Sequence, residues 1–247
     1  MATTKADSSG RSKVLVDFAL QGGGAHGAFT WGALDRLLEE SWLQIDGIAG
    51  TSAGAMNAAV LADGHAKGGA DAARAALESF WRNVSKAASL SPLRRGFLDV
   101  LLDRWSLDHS PVFIAMDLMT RLFSPYDLNP QGFNPLRQIL AECVDFERLG
   151  RAPIKLFVCA TNVRTGHGRV FRNREITPDV LLASGCLPTM FQAVEIDGEH
   201  YWDGAIPATL ISRHLCGSVT RRTQFSFRSI PLSAPVRQEP LVRYSIA

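Results

Sequence analysis

Val14-Leu15-Val16-Asp17-Phe18-Ala19-Leu20 runs straight into Gln21-Gly22-Gly23-Gly24-Ala25-His26-Gly27, and this stretch decides the fold. The first half is short, mostly apolar and rich in β-formers, and three consecutive glycines end it, which predicts a buried strand closed by a turn. From Ala25 to Glu40, Gly27, Trp31, Leu34 and Leu38 recur at helical spacing, with Asp35, Arg36, Glu39 and Glu40 mostly off that stripe. A helix follows the turn. The pattern then repeats: Gly47-Ile48-Ala49-Gly50 is a second brief apolar run, and Ala53 to Ala62 is a small-residue helix that Asp63-Gly64 is expected to stop. Strands and helices alternating on such short connections predict right-handed crossovers and an α/β fold with a central, mostly parallel sheet flanked by helices.

Further along, Ala73, Leu77, Phe80, Trp81 and Val84 form one helical stripe, and Leu136, Ile139, Leu140 and Cys143 form another. Ser110-Pro111, Asn134-Pro135 and Thr177-Pro178 each set a capping side chain before a proline suited to the first helical position. Val112 to Phe123 is apolar nearly all round, so it is either core or a wall for an apolar ligand, and Trp105 could join that wall. Ile154 to Ala160 and Arg169 to Phe171 read as strands. Ala193 to Ile196 and Glu199 to Trp202 flank Asp197-Gly198, which predicts a hairpin.

The whole chain of 247 residues is 46% hydrophobic, 20% charged and 9% aromatic, a globular composition that excludes disordered and fibrous classes. Its formal charge of +2 is unevenly spread. Residues 211–247 hold six Arg and a single Glu, so the body is slightly acidic, which disfavours a nucleic-acid partner. Cys143, Cys159, Cys186 and Cys216 are too few and scattered for a disulfide framework or a zinc site, and read as reduced, mostly buried thiols. Neither a signal peptide nor a spanning segment is evident, and a cytoplasmic location is expected.

Gly50-Thr51-Ser52-Ala53-Gly54 fits G-x-S-x-G, in which a serine sits on a tight strand-to-helix turn and the glycines allow the bend. A glycine-rich N-cap is the bland alternative, and the motif alone weighs the two equally. Gly22-Gly23-Gly24 offers consecutive backbone N–H groups at a strand end, a cradle for an anion such as the oxyanion of acyl transfer. Gly22, Gly24 and Gly27 also satisfy G-x-G-x-x-G, but the acidic residue that should close the second strand of a dinucleotide site is missing, which demotes that reading. Among His26, His65, His109, His167, His200 and His214 none convinces as a base; only His214 follows Asp203 in the order of a Ser-acid-His triad, and His65 and His167 read as solvated loop residues. Asp203-Gly204-Ala205, after the hairpin's second strand, is the better candidate, since a small-residue turn there can present a carboxylate to a cleft.

Gln21 to Gly27, Gly50 to Gly54 and Asp203-Gly204-Ala205, in that order and at those intervals, resemble the patatin-like phospholipase family, as does the segment from Ala183-Ser184 through Pro188 to Phe191. The resemblance covers about residues 14 to 208. It implies a patatin-like acyl hydrolase fold and a Ser-Asp dyad hydrolysing fatty-acyl esters of phospholipids or other lipids, with no cofactor or metal. Ser52 would be the nucleophile, Asp203 the base, and Gly22, Gly23 and Gly24 the oxyanion hole, with Gly50, Gly54 and Gly204 in support. A lipid or acyl-ester substrate implies peripheral contact with a membrane. A histidine-dependent esterase, or an impaired remnant whose glycine loop binds an anion or nucleotide, are the competing readings. His26 stands where the family usually places Arg or Lys. The expected organisation is a disordered segment at 1–12, the hydrolase domain at 13–210 and an atypical, poorly ordered Arg/Ser-rich tail at 211–247. No sustained pattern marks that tail, so it is expected to be an altered ending, leaving a sheet edge exposed.

Overall fold

The computed structural model describes residues 12–89, 118–119, 122–204 and 223–227. The expectations for 1–11, for Trp105, His109 and Ser110-Pro111, for most of Val112 to Phe123, and for Ala205, His214 and Cys216 lie outside these residues.

The opening strand is β1 (Val14–Leu20), and a single 3-10 turn, Gly24–His26, leads into α1 (Gly27–Leu38). Next come β2 (Leu43–Gly50) and α2 (Ala53–Ser89). Later in the chain come α3 (Pro125–Leu128), α4 (Pro135–Cys143) and α5 (Phe146–Gly150). They lead to β3 (Lys155–Asn162), β4 (Gly168–Arg172), α6 (Pro178–Ser184), β5 (Val194–Ile196) and β6 (Glu199–Asp203), and β7 (Thr223–Phe227) is the last strand described. The sheet runs β5-β6-β3-β2-β1-β7, with β4 also paired to β3. Pairs β1–β2, β2–β3 and β1–β7 are parallel, whereas β4 and β6 join β3 antiparallel and β5 joins β6 antiparallel. The sheet is therefore mixed and mostly parallel at its centre, with helices flanking it.

Val16, Phe18, Leu20, Ile48, Leu156 and Val158 from the central strands are buried and meet the Ala-rich start of α2. The Asp197-Gly198 hairpin forms as its residues require, with φ of 54° and 75° at the two turn positions. Asn134 and Thr177 cap α4 and α6 through their side-chain oxygens.

Three expectations need correction. Asp63-Gly64 does not stop α2; the break falls at Gly68-Gly69, where φ/ψ leave the helical region. Asp63 is instead 2% exposed and held by both oxygens, accepting from Arg148 Nε and Nη2 at 2.8 Å each. A buried carboxylate tolerates that position because a paired guanidinium repays its desolvation. The helix after the kink folds back closely enough that a Cβ on Gly64 would lie 2.7 Å from Ala73 Cα. The same continuation places His65 inside the helix, half-buried, where desolvation lowers its pKa, and not in a solvated loop. The third correction concerns the sheet edge: Thr223–Phe227 lies parallel to β1, from Val16↔Thr223 to Leu20↔Phe227, so β1 is not an exposed edge. Five alternating residues flanked by arginines are too short a pattern to stand out in sequence, and pairing with β1 supplies what local propensity lacks.

Close backbone packing brings the two glycine turns together. A Cβ on Gly54 would sit 2.3 Å from Leu20 O and 2.7 Å from Leu20 C, both immovable backbone atoms. Gly54→Ala is accordingly expected to destabilise the fold by about 3 kcal/mol, as overpacking does where nothing can yield. Urea unfolding measures this, and an unchanged midpoint would contradict the packing described.

Candidate active site

Ser52 occupies the turn between β2 and α2 with φ 55°, one of two non-glycine residues with positive φ among those described. A left-handed backbone at a serine costs about 1–2 kcal/mol and persists only where its surroundings enforce it. Here they do: Thr51 N–H donates to Leu20 O at 3.3 Å, Gly54 N–H returns to Thr51 O at 2.9 Å, and Ser52 N–H donates to the Ser184 hydroxyl at 3.0 Å. Gly50 and Gly54 permit the bend, since a Cβ on Gly50 would come 2.6 Å from Gly54 O. The side chain thus leaves the sheet at the N-terminus of α2, where the helix dipole favours developing negative charge.

The glycine run lies alongside. Gly23 and Gly24 have φ of 149° and 55°, backbone that a side chain would disfavour. Gly22 approaches so near that a Cβ there would lie 2.8 Å from Ser52 Cβ. His26 Nδ1 is 3.1 Å from Gly23 O.

Asp203 arrives from the opposite side as the last residue of β6, registered with Ala160 of β3 and 5% exposed. Its backbone is held at both ends: Asp203 N–H donates to Cys186 O at 2.9 Å, and Thr161 Oγ1 donates to Asp203 O at 2.8 Å. The following turn is packed, not loose, because a Cβ on Gly204 would meet Cys159 O at 2.1 Å. The Cys159 and Cys186 thiols are each pushed up to about 11, first by burial and then by the negative charge of Asp203. Both are neutral, unreactive thiols near pH 7.

Gly22, Gly23, Gly24, Ser52 and Asp203 line one cavity of about 760 Å³. The rest of its wall is largely apolar, with Met56, Phe80, Trp81, Val84, Leu136 and Leu187. The α2 stripe that sequence reads as core therefore serves both core and cavity. Asn57, buried completely, ties these parts together: its Nδ2 donates to Gly27 O at 2.9 Å while its Oδ1 accepts from Trp81 Nε1 at 2.8 Å. One polar side chain thus fixes the exit of the glycine turn and an aromatic wall. Of the described histidines only His26 lines the cavity. No group of three or more His, Cys, Asp or Glu among the described residues could hold a metal ion, and no helix there is long and apolar enough to cross a membrane.

A mixed α/β sheet, parallel at its centre, thus carries a glycine turn and a serine turn beside one largely apolar cavity. Residues 18–210 match the model of the patatin-like phospholipases, and the chain belongs to that family. Solved structures similar to it include the following two. VipD from Legionella pneumophila is 17% identical with a TM-score of 0.45, over 82% of this chain and 48% of VipD. A chain of the heterodimeric ExoU-SpcU complex from the type III secretion system of Pseudomonas aeruginosa is 21% identical with a TM-score of 0.36, over 70% of this chain and 36% of that one. The chain spans about half the length of the first and about a third of the second. No curated protein matches it.

Proposed function

We propose that the protein is a serine acyl hydrolase that cleaves fatty-acyl esters of phospholipids or related lipids through a Ser52–Asp203 dyad, within a hydrolase domain at 13–210. The observation that carries this reading is the shared cavity: a strained serine, a buried carboxylate and a glycine turn open onto one apolar space of about 760 Å³.

In the proposed sequence, Ser52 Oγ attacks the ester carbonyl as its proton passes to the Asp203 carboxylate. The C–O π bond becomes an oxyanion, which accepts hydrogen bonds from backbone N–H groups of Gly22 to Gly24. Collapse expels the alcohol, which takes the proton from Asp203 and leaves an acyl ester on Ser52. Water, deprotonated by Asp203, then attacks that ester; collapse releases the fatty acid and returns the proton to Ser52. In this proposal the Asp203 carboxylate acts as the base in place of a histidine, a role open to a carboxylate within hydrogen-bond reach of the hydroxyl.

The acyl chain lies along Phe80, Trp81, Val84 and Leu136, where each buried methylene adds about 0.8 kcal/mol. Hydrolysis of p-nitrophenyl esters is expected to rise in kcat/KM from acetate to octanoate. Val84→Trp, which fills part of this space, is expected to lower kcat/KM for octanoate about tenfold while sparing acetate. Absence of hydrolysis at every chain length would overturn the reading.

A further inference from the structure

The C-terminal end of α6 grips both turns of the dyad. Ser184, the last residue of α6, is completely buried, and its hydroxyl is used in both directions: it accepts from Ser52 N–H at 3.0 Å and donates to Cys159 O at 2.7 Å. Its own carbonyl accepts from Gly204 N–H at 3.4 Å, and two residues on, Cys186 O accepts from Asp203 N–H at 2.9 Å. Cys159 directly precedes Ala160, the residue registered with Asp203, and its carbonyl is the atom against which Gly204 packs.

We propose that Ser184 is a positioning residue for acyl transfer, its hydroxyl setting the Ser52 turn against the strand that carries Asp203. The proposal rests on the reading of Ser52 and Asp203 as the dyad. Its physical basis is the backbone of Ser52: at φ 55° the turn lies outside its preferred region, and the nitrogen that Ser184 holds is bonded to the Cα whose Cβ carries Oγ. Removing the hydroxyl leaves that N–H and the Cys159 carbonyl each without this partner, and the turn can relax. A shift of about 1 Å between nucleophile and base costs on the order of 10² in rate, because the near-attack arrangement is lost. Ser184 does not line the cavity, so substrate affinity is untouched.

The test compares Ser184→Ala, Thr177→Ala and Ser52→Ala with wild type in p-nitrophenyl butyrate hydrolysis and in the rate of labelling by a fluorophosphonate. Thr177 caps the other end of α6, so its alanine variant loosens the helix without touching the hydroxyl bridge. For Ser184→Ala, kcat and the labelling rate are expected to fall together by about 10- to 100-fold, with KM within about threefold of wild type. Thr177→Ala is expected to lower the melting temperature while keeping kcat per folded molecule. Three results would overturn the proposal: an unchanged kcat in Ser184→Ala, a raised KM with kcat intact, or an equal loss of kcat in Thr177→Ala. Wild-type hydrolysis by Ser52→Ala would instead remove the dyad reading, and this proposal with it.

Discussion

Ser52→Ala is expected to lower ester hydrolysis by at least about 10⁴-fold, equivalent to roughly 5.5 kcal/mol of transition-state stabilisation. The magnitude follows from the role proposed: without Oγ there is no acyl-enzyme, and the remaining groups can only bind the ester and polarise its carbonyl. The variant is also a clean one. Alanine carries the same left-handed backbone cost as serine at φ 55°, and the Ser52 N–H keeps its bond to Ser184. Thermal unfolding should therefore stay close to wild type while turnover disappears, and circular dichroism beside the ester assay separates the two. A variant with wild-type turnover would mean that hydrolysis happens elsewhere on the chain.

Asp203→Asn should cost about 10² to 10⁴ in kcat, the range for losing a well-placed general base. Asparagine preserves the volume of a side chain 5% exposed, and the bonds from Asp203 N–H to Cys186 and from Thr161 to the Asp203 carbonyl involve backbone atoms, so both survive. What asparagine cannot do is take the Ser52 proton. His214→Ala made in parallel addresses the histidine-dependent alternative: the dyad reading expects full activity there. If His214→Ala were as damaging as Asp203→Asn, the proton would be travelling by another route.

Much of this was legible in the sequence because glycine punctuation is local. Gly22-Gly23-Gly24 and Gly50 to Gly54 mark the strand ends at which both turns form, and Asp197-Gly198 marks its hairpin. Long-range pairing was harder to read. Asp63-Gly64 looks like a helix stop until Arg148, 85 residues later, accounts for the buried carboxylate and lets α2 continue. Thr223–Phe227 has no local signal beyond a short alternation and becomes a strand through β1. The same limit hid part of the site. Phe80, Trp81 and Val84 have the spacing of an ordinary core stripe, and only tertiary packing turns their edge toward the cavity. Asn57 did leave a trace, as a polar residue within the otherwise small and apolar run from Ala53 to Ala62. Ser184 was legible only as the start of the segment that runs through Pro188 to Phe191, because a single hydroxyl at a helix end says nothing of the turn 132 residues away to which it bonds.

The central claim is that Ser52 is a nucleophile activated by Asp203. Intact-mass and peptide analysis after exposure to a fluorophosphonate tests it most directly, since the reagent phosphonylates an activated serine and leaves an adduct that does not turn over. The account predicts a single adduct on the peptide containing Ser52 in the wild type, none on Ser52→Ala, and labelling slowed by at least about 10²-fold in Asp203→Asn. An adduct on another residue, or equal labelling rates with and without the Asp203 carboxylate, would contradict it.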